Sequence, residues 1–168
     1  MEKTIIATAL SAFLASPVMA LAEGYIGIAG GQNKMDLSGV KESPAFSAFG
    51  GYSYNEYVGG ELAYVDFGSA DTSAPGISMK GHAISLDAVG SLPLGKDFSL
   101  FAKLGFASTN VEITGGSSSS KGDVTYGIGA QYNASRDWGV RLGYDNYRVG
   151  DTNTKDSAYT SLGVLFRF

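Results

Sequence analysis

Seven polar side chains fall where a β-structure would place them on one face: Glu61, Asp87, Lys103, Gln131, Arg141, Asp145 and Arg167. Three are carboxylates and three are cations. Charges withdrawn from water must be paired and hydrogen-bonded, so the set predicts a salt-bridge network inside the molecule. Such a network could work as a small ion gate or as a static plug, and the static plug is the favoured reading. Nucleophilic catalysis has one candidate base, the single histidine His82, with Ser85 three residues on. Residues three apart on a strand point to opposite faces, so these two would not form a nucleophile pair, and no enzymatic activity is expected. The absence of cysteine excludes a disulfide scaffold, a thiolate metal site and a cysteine nucleophile, and one histidine excludes a multi-histidine centre. Asp66, Ser69 and Asp71 lack calcium-ligand spacing. No metal or cofactor is therefore expected.

The elements that must position these residues are strands. Alternation with a period of two recurs along the chain, and no stretch shows apolar residues at three- and four-residue spacing. In 98–106 the even positions are apolar while the odd ones include Ser99, Lys103 and Gly105; 123–132 and 138–145 repeat the pattern. This predicts eight strands at roughly 24–32, 44–54, 57–67, 79–91, 98–109, 122–133, 138–148 and 157–168. Three connections are tight, at 55–56, 93–97 and 134–137. Four are long and polar, at 33–43, 68–78, 110–121 and 149–156. An even number of antiparallel strands joined by alternating short and long loops predicts an all-β, eight-stranded, up-and-down transmembrane barrel. Short turns would face the periplasm and long loops the outside.

A water-soluble barrel would also alternate, but its outward face would carry many charges. Here the face bearing Lys103, Gln131, Arg141 and Asp145 is too polar and glycine-rich for an ordinary core, and the opposite face is almost free of charge, as lipid requires. Glycine is abundant, 24 of 168 residues against an average near 7 per cent, without the period or proline of collagen. Gly51, Gly59, Gly105, Gly127, Gly129 and Gly143 are expected on the inward face, where a narrow barrel has little room beside long side chains. Tyr52, Tyr54, Phe98, Tyr132, Trp138, Phe166 and Phe168 lie near the short-turn ends of strands, where an aromatic girdle at the membrane interface would sit.

The first 22 residues read as an export signal: Lys3 supplies a basic start, 4–14 an apolar run, and Ala20 and Ala22 an A-x-A cleavage site before Glu23. The apolar run is short for a spanning helix. The organisation expected is therefore a signal peptide at 1–22 and a barrel domain at 23–168, exported to the outer membrane of a Gram-negative bacterium. Asn133-Ala134-Ser135 matches a glycosylation sequon but sits in a tight turn, where it is read as chance. The net charge of −4, with no basic run, makes nucleic acid an unexpected partner.

The segment 48–64, AFGGYSYNEYVGGELAY, resembles the second hairpin of the OmpA-type transmembrane domain, and FAKLG at 101–105, GAQY at 129–132 and VRLGY at 140–144 are similar to its later strands. The resemblance implies that Glu61, Lys103 and Arg141 occupy positions of an interior charged network that plugs the barrel, with Gln131 where an acid is usual. The sequence stops after the eighth strand, so the expectation is a barrel-only relative without a peptidoglycan-binding domain. The implied partners are outer-membrane lipid and lipopolysaccharide, and the barrel-assembly machinery, through a final strand ending in Phe168. A host or cell-surface ligand is a further expectation, for a protein acting as a monomer. A structural envelope role comes first, surface adhesion or serum resistance through the long loops second, and a narrow gated pore third.

Overall fold

In the computed structural model of the chain, residues 23–35, 43–71, 78–113, 119–149 and 155–168 are described. The expected signal peptide at 1–22 and the centres of the four long connections lie outside them. The described residues form eight strands: β1 (Glu23–Met35), β2 (Ser43–Ser53), β3 (Val58–Asp71), β4 (Ser78–Pro93), β5 (Phe98–Ile113), β6 (Ser119–Asn133), β7 (Trp138–Val149) and β8 (Lys155–Arg167). They pair in chain order, each antiparallel to the next, and β1 pairs with β8 to close a barrel. Closure runs to the end of the sequence. Gly24 N–H donates to Phe168 O at 3.2 Å and Phe168 N–H to Gly24 O at 2.9 Å, leaving no free sheet edge at the seam.

Pairing in register gives the barrel two chemically distinct faces, because directly opposed residues share a side of the sheet. Odd-numbered residues point inward: Tyr25 lies opposite Gly51, Gly51 opposite Glu61, Glu61 opposite Asp87, and Gln131 opposite Arg141. Even-numbered residues point outward and include Ile28, Leu86, Leu104, Phe106, Ile128 and Leu162, all exposed. On β5 the outward apolar run spans Phe98 to Phe106. Nine residues at about 3.3 Å each, tilted by about 40°, cover roughly 20 Å of membrane thickness, close to the apolar band of an outer-membrane barrel.

At the short-turn end the connections are 54–57, 94–97 and 134–137. Each is held locally. Asn55 Oδ1 accepts from the N–H groups of Tyr57 and Val58, both at 2.8 Å, and Ser135 Oγ accepts from Trp138 N–H at 3.0 Å. At the other end the strands run past the predicted boundaries. The gaps between them shrink to 36–42, 72–77, 114–118 and 150–154, against the expected 33–43, 68–78, 110–121 and 149–156. Beyond the apolar band the even positions turn polar, as at Ser108 and Asn110 of β5, so the lipid-facing stripe no longer marks the strand, although backbone pairing continues. Ser119 and Ser120, read as part of a serine-rich loop, pair with Val111 and Asn110. In β3 the register shifts between Asp66 and Ser69, where Gly68 takes a φ of +68° and its N–H donates to Asp66 Oδ1 at 2.8 Å. A residue with a Cβ would be strained at that bulge.

Candidate functional site: the charged lumen

The odd-numbered parity of β3, β5 and β7 brings Glu61, Lys103, Arg141 and Asp145 together at mid-barrel. Glu61 is the hub and is almost fully enclosed, with 1 per cent of its surface accessible. Its Oε2 accepts from Arg141 Nη1 at 2.5 Å and from Tyr25 Oη at 2.8 Å, while its Oε1 faces Lys103 Nζ at 3.3 Å. Lys103 Nζ also reaches Asp145 Oδ1 at 2.8 Å. Two carboxylates and two cations thus neutralise one another where neither sign could remain alone without a large desolvation cost.

Gln131 joins by its amide oxygen, which accepts from Arg141 Nε at 3.2 Å and Nη2 at 3.0 Å. A neutral amide here receives the guanidinium fork as a carboxylate would, without adding a negative charge. The amide nitrogen passes the chain on: Gln131 Nε2 donates to Asn133 Oδ1 at 3.1 Å, and Arg167 Nη2 donates to the same oxygen. A continuous hydrogen-bonded line therefore runs from Arg167 at the turn end to Asp145 at mid-barrel. Arg167 is tied to an amide and to the carbonyl of Arg136 at 3.4 Å, with no acid in contact among the described residues. Asp87 also stands apart from the ion pairs, accepting from Ser85 Oγ at 2.7 Å. Asp87 nonetheless lies directly opposite Glu61, at network level, whereas Arg167 opens onto the polar mouth formed with Lys96, Asp97 and Asp137, where water can solvate it.

The guanidinium of Arg141 is also enclosed by three rings, those of Phe101, Phe49 and Tyr25, at 4.6, 4.9 and 5.1 Å from their centroids. Cation–π attraction of this kind strengthens when water is excluded. Sequence reasoning missed Tyr25, Phe49, Phe101 and Asn133. All four share the odd parity of Lys103 and Gln131, and that parity was the available signal.

On the loop side of the network, Val65, Phe67, Ala83, Tyr147 and Tyr159 form an apolar layer, and Tyr159 Oη donates to Ser47 Oγ at 3.1 Å. A second apolar cluster, Tyr25, Ala29, Phe49, Ala63 and Leu165, packs beside the network on β1, β2, β3 and β8. The residual cavity at network level is about 20 Å³, room for one water molecule. Inward glycines make this density possible. Gly51 lies against the Tyr25 ring, Gly127 against the Asp145 carboxylate and Gly129 against the Phe101 ring, so that a Cβ at any of them would collide.

Outside, Trp138 packs at a tilt against Phe166 with centroids 5.1 Å apart, and Phe166 stacks at 6.5 Å on Phe168; Phe98 and Tyr132, directly paired, are exposed at the same end. Tyr52 is half-buried on the outward face. Tyr54 belongs to the 54–57 turn instead of a strand end, because the β2–β3 ladder stops at Ser53 and Gly59. His82 faces outward and stacks on Tyr64 at 5.9 Å, whereas Ser85 faces the lumen.

A closed antiparallel barrel of eight strands, apolar outside and sealed inside by paired charges, is the architecture of a small outer-membrane barrel. The chain belongs to that class by sequence as well: residues 5–168 match the family described as outer membrane protein beta-barrel domain. It is 31 per cent identical over 136 residues to Outer membrane protein A of Shigella flexneri, covering 72 per cent of this chain and 39 per cent of that relative. The chain thus spans about two fifths of the length of the curated relatives it matches. Among solved structures it is similar to Neisserial surface protein A, with a TM-score of 0.63 at 18 per cent identity over 89 per cent of this chain and 98 per cent of that one. It is also similar to Ail, the attachment invasion locus protein of Yersinia pestis, solved with the heparin analogue sucrose octasulfate. There the TM-score is 0.58 at 20 per cent identity, over 88 and 97 per cent of the two chains. The protein is therefore an OmpA-type β-barrel of the bacterial outer membrane.

Proposed function

We propose that this barrel is a closed structural component of the outer membrane, one that contributes to envelope integrity and conducts no ions. The single observation that carries this reading is the lumen. Its midsection holds paired charges, aromatic rings and a residual space of about 20 Å³, with one apolar cluster beside the charges and another on their loop side. A hydrated ion needs a continuous water path. Purified protein in planar bilayers should give a silent trace, and stepwise conductance would overturn the proposal.

The reading extends to the rest of the chain. Residues 1–22 act as a removable export signal, so the outer-membrane form should begin at Glu23 on N-terminal sequencing. The Trp138, Phe166 and Phe168 cluster, with Tyr52, Tyr54, Phe98 and Tyr132, anchors the turn end at the lipid interface. The last strand, ending in Phe168, is the segment presented to the assembly machinery, and the folded barrel acts as a monomer. No catalytic step is assigned.

Surface attachment is a second reading. It is favoured by the strand walls that continue past the apolar band and present Gln32, Lys34, Asp66 and Asn110 outward, and by the likeness in fold to Ail. Removing 114–118 and 150–154 tests it: cell binding that falls while the barrel stays heat-modifiable on unboiled gels would support attachment.

A further inference from the structure

The outward wall is not evenly covered. Across β4 to β8 it carries an open apolar groove of about 770 Å³. Its floor is Gly90, Ala102 and Ala130, and its walls include Leu92, Leu142 and Tyr144. Gly90 lies directly opposite Ala102, and Leu100 opposite Ala130, so the small residues cluster in neighbouring rows of the sheet. Tyr57, from the β2–β3 turn, closes one end, and Thr160 on β8 marks the other. Four inter-strand steps of about 4.8 Å carry the groove along an arc of about 19 Å around half the circumference of the closed barrel.

Crowding within the protein does not require the small floor. A Cβ at Gly90 would find nothing nearer than the Ala102 carbonyl oxygen at 4.0 Å. The space above Gly90 is therefore open, unlike the space above the lumen glycines.

We propose that this groove seats one acyl chain of an outer-membrane lipid. The groove is continuous with the apolar face the barrel turns to the membrane, so hydrocarbon is the chemistry that meets it. In lipid there is no hydrophobic drive to pair two apolar walls, and close packing of shapes decides what binds. Two barrel walls are both convex and would touch along a line, leaving a concavity between them unfilled. A flexible chain can enter it and recover dispersion contacts along both walls.

The test is native mass spectrometry of the full barrel extracted from outer membranes. Wild type should carry one lipid adduct per folded monomer. Ala102→Phe and Ala130→Leu, which fill the floor, should lose the adduct while remaining heat-modifiable on gels. Leu86→Phe, outside the groove, should keep it. A wild-type spectrum without bound lipid overturns the proposal even if both filling variants fail to fold. So does an adduct that survives both substitutions, or a wild-type dimer that they abolish, which would make the occupant a second copy.

Discussion

On β5, Phe101, Lys103 and Gly105 point into the lumen while Leu100, Ala102, Leu104 and Phe106 point outward, so one strand meets two opposite packing problems at alternate residues. Inside, every volume is committed: glycines stand where a methyl would strike Asp145, Tyr25 or Phe101, and each charge has a partner of opposite sign or a hydrogen bond. Outside, Phe106 is 73 per cent exposed and a Cβ at Gly90 would meet only open space. The difference teaches that glycine has two meanings in this barrel. On the inner face it is the complement of a large neighbour; on the outer face it leaves space for the membrane.

Breaking the inner face should cost most. Arg141→Ala would leave Glu61 enclosed with only Lys103 and Tyr25 for company, a loss of about 3–5 kcal/mol for an uncompensated buried charge. Thermal unfolding in detergent should show a large drop in midpoint, and an unchanged profile would count against the network. Next comes a charge on the outer face. Leu104→Arg, near the middle of the apolar band, should cost about 2–4 kcal/mol in folding into lipid bilayers. A soluble sandwich would tolerate that change, so a neutral result would undo the assignment of faces.

The two glycine classes make the sharper pair. Gly127→Ala would press a methyl into the Asp145 carboxylate and disturb its contact with Lys103, an overpacking cost of about 1–3 kcal/mol. Gly90→Ala has room and relieves an unconstrained strand glycine, so a gain of about 0.5 kcal/mol is expected. Equal effects at the two positions, read by denaturant unfolding in bilayers, would erase the distinction.

Much of this architecture was legible because the period of two is imposed by geometry: one residue slip exchanges lipid for lumen. That is why the strand count, pairing order and inward set of Glu61, Lys103, Gln131, Arg141 and Asp145 could be read from spacing. What escaped was whatever alternation does not encode. At the loop-side ends of β5 and β6 the even positions turn polar, so Asn110 and Ser120 look like loop although their backbones pair. Tyr25, Phe49 and Phe101 look like lipid-facing aromatics in composition, and only their parity with Lys103 places them around Arg141. Asp87 and Arg167 carry charges on the inward parity but join no ion pair among the described residues: Arg167 sits at the turn-end mouth, and Asp87, although opposite Glu61, is hydrogen-bonded to Ser85, placements that residue type alone cannot convey.

The central claim is that a mutually dependent ion pair holds the lumen shut. A double-mutant cycle on Glu61→Gln and Arg141→Met, measured as unfolding free energy in lipid bilayers, tests it most directly. The account predicts that each single change is strongly destabilising and that the double variant is much closer to wild type than their sum, because it strands no charge. Two small single effects that add within about 0.5 kcal/mol would contradict it.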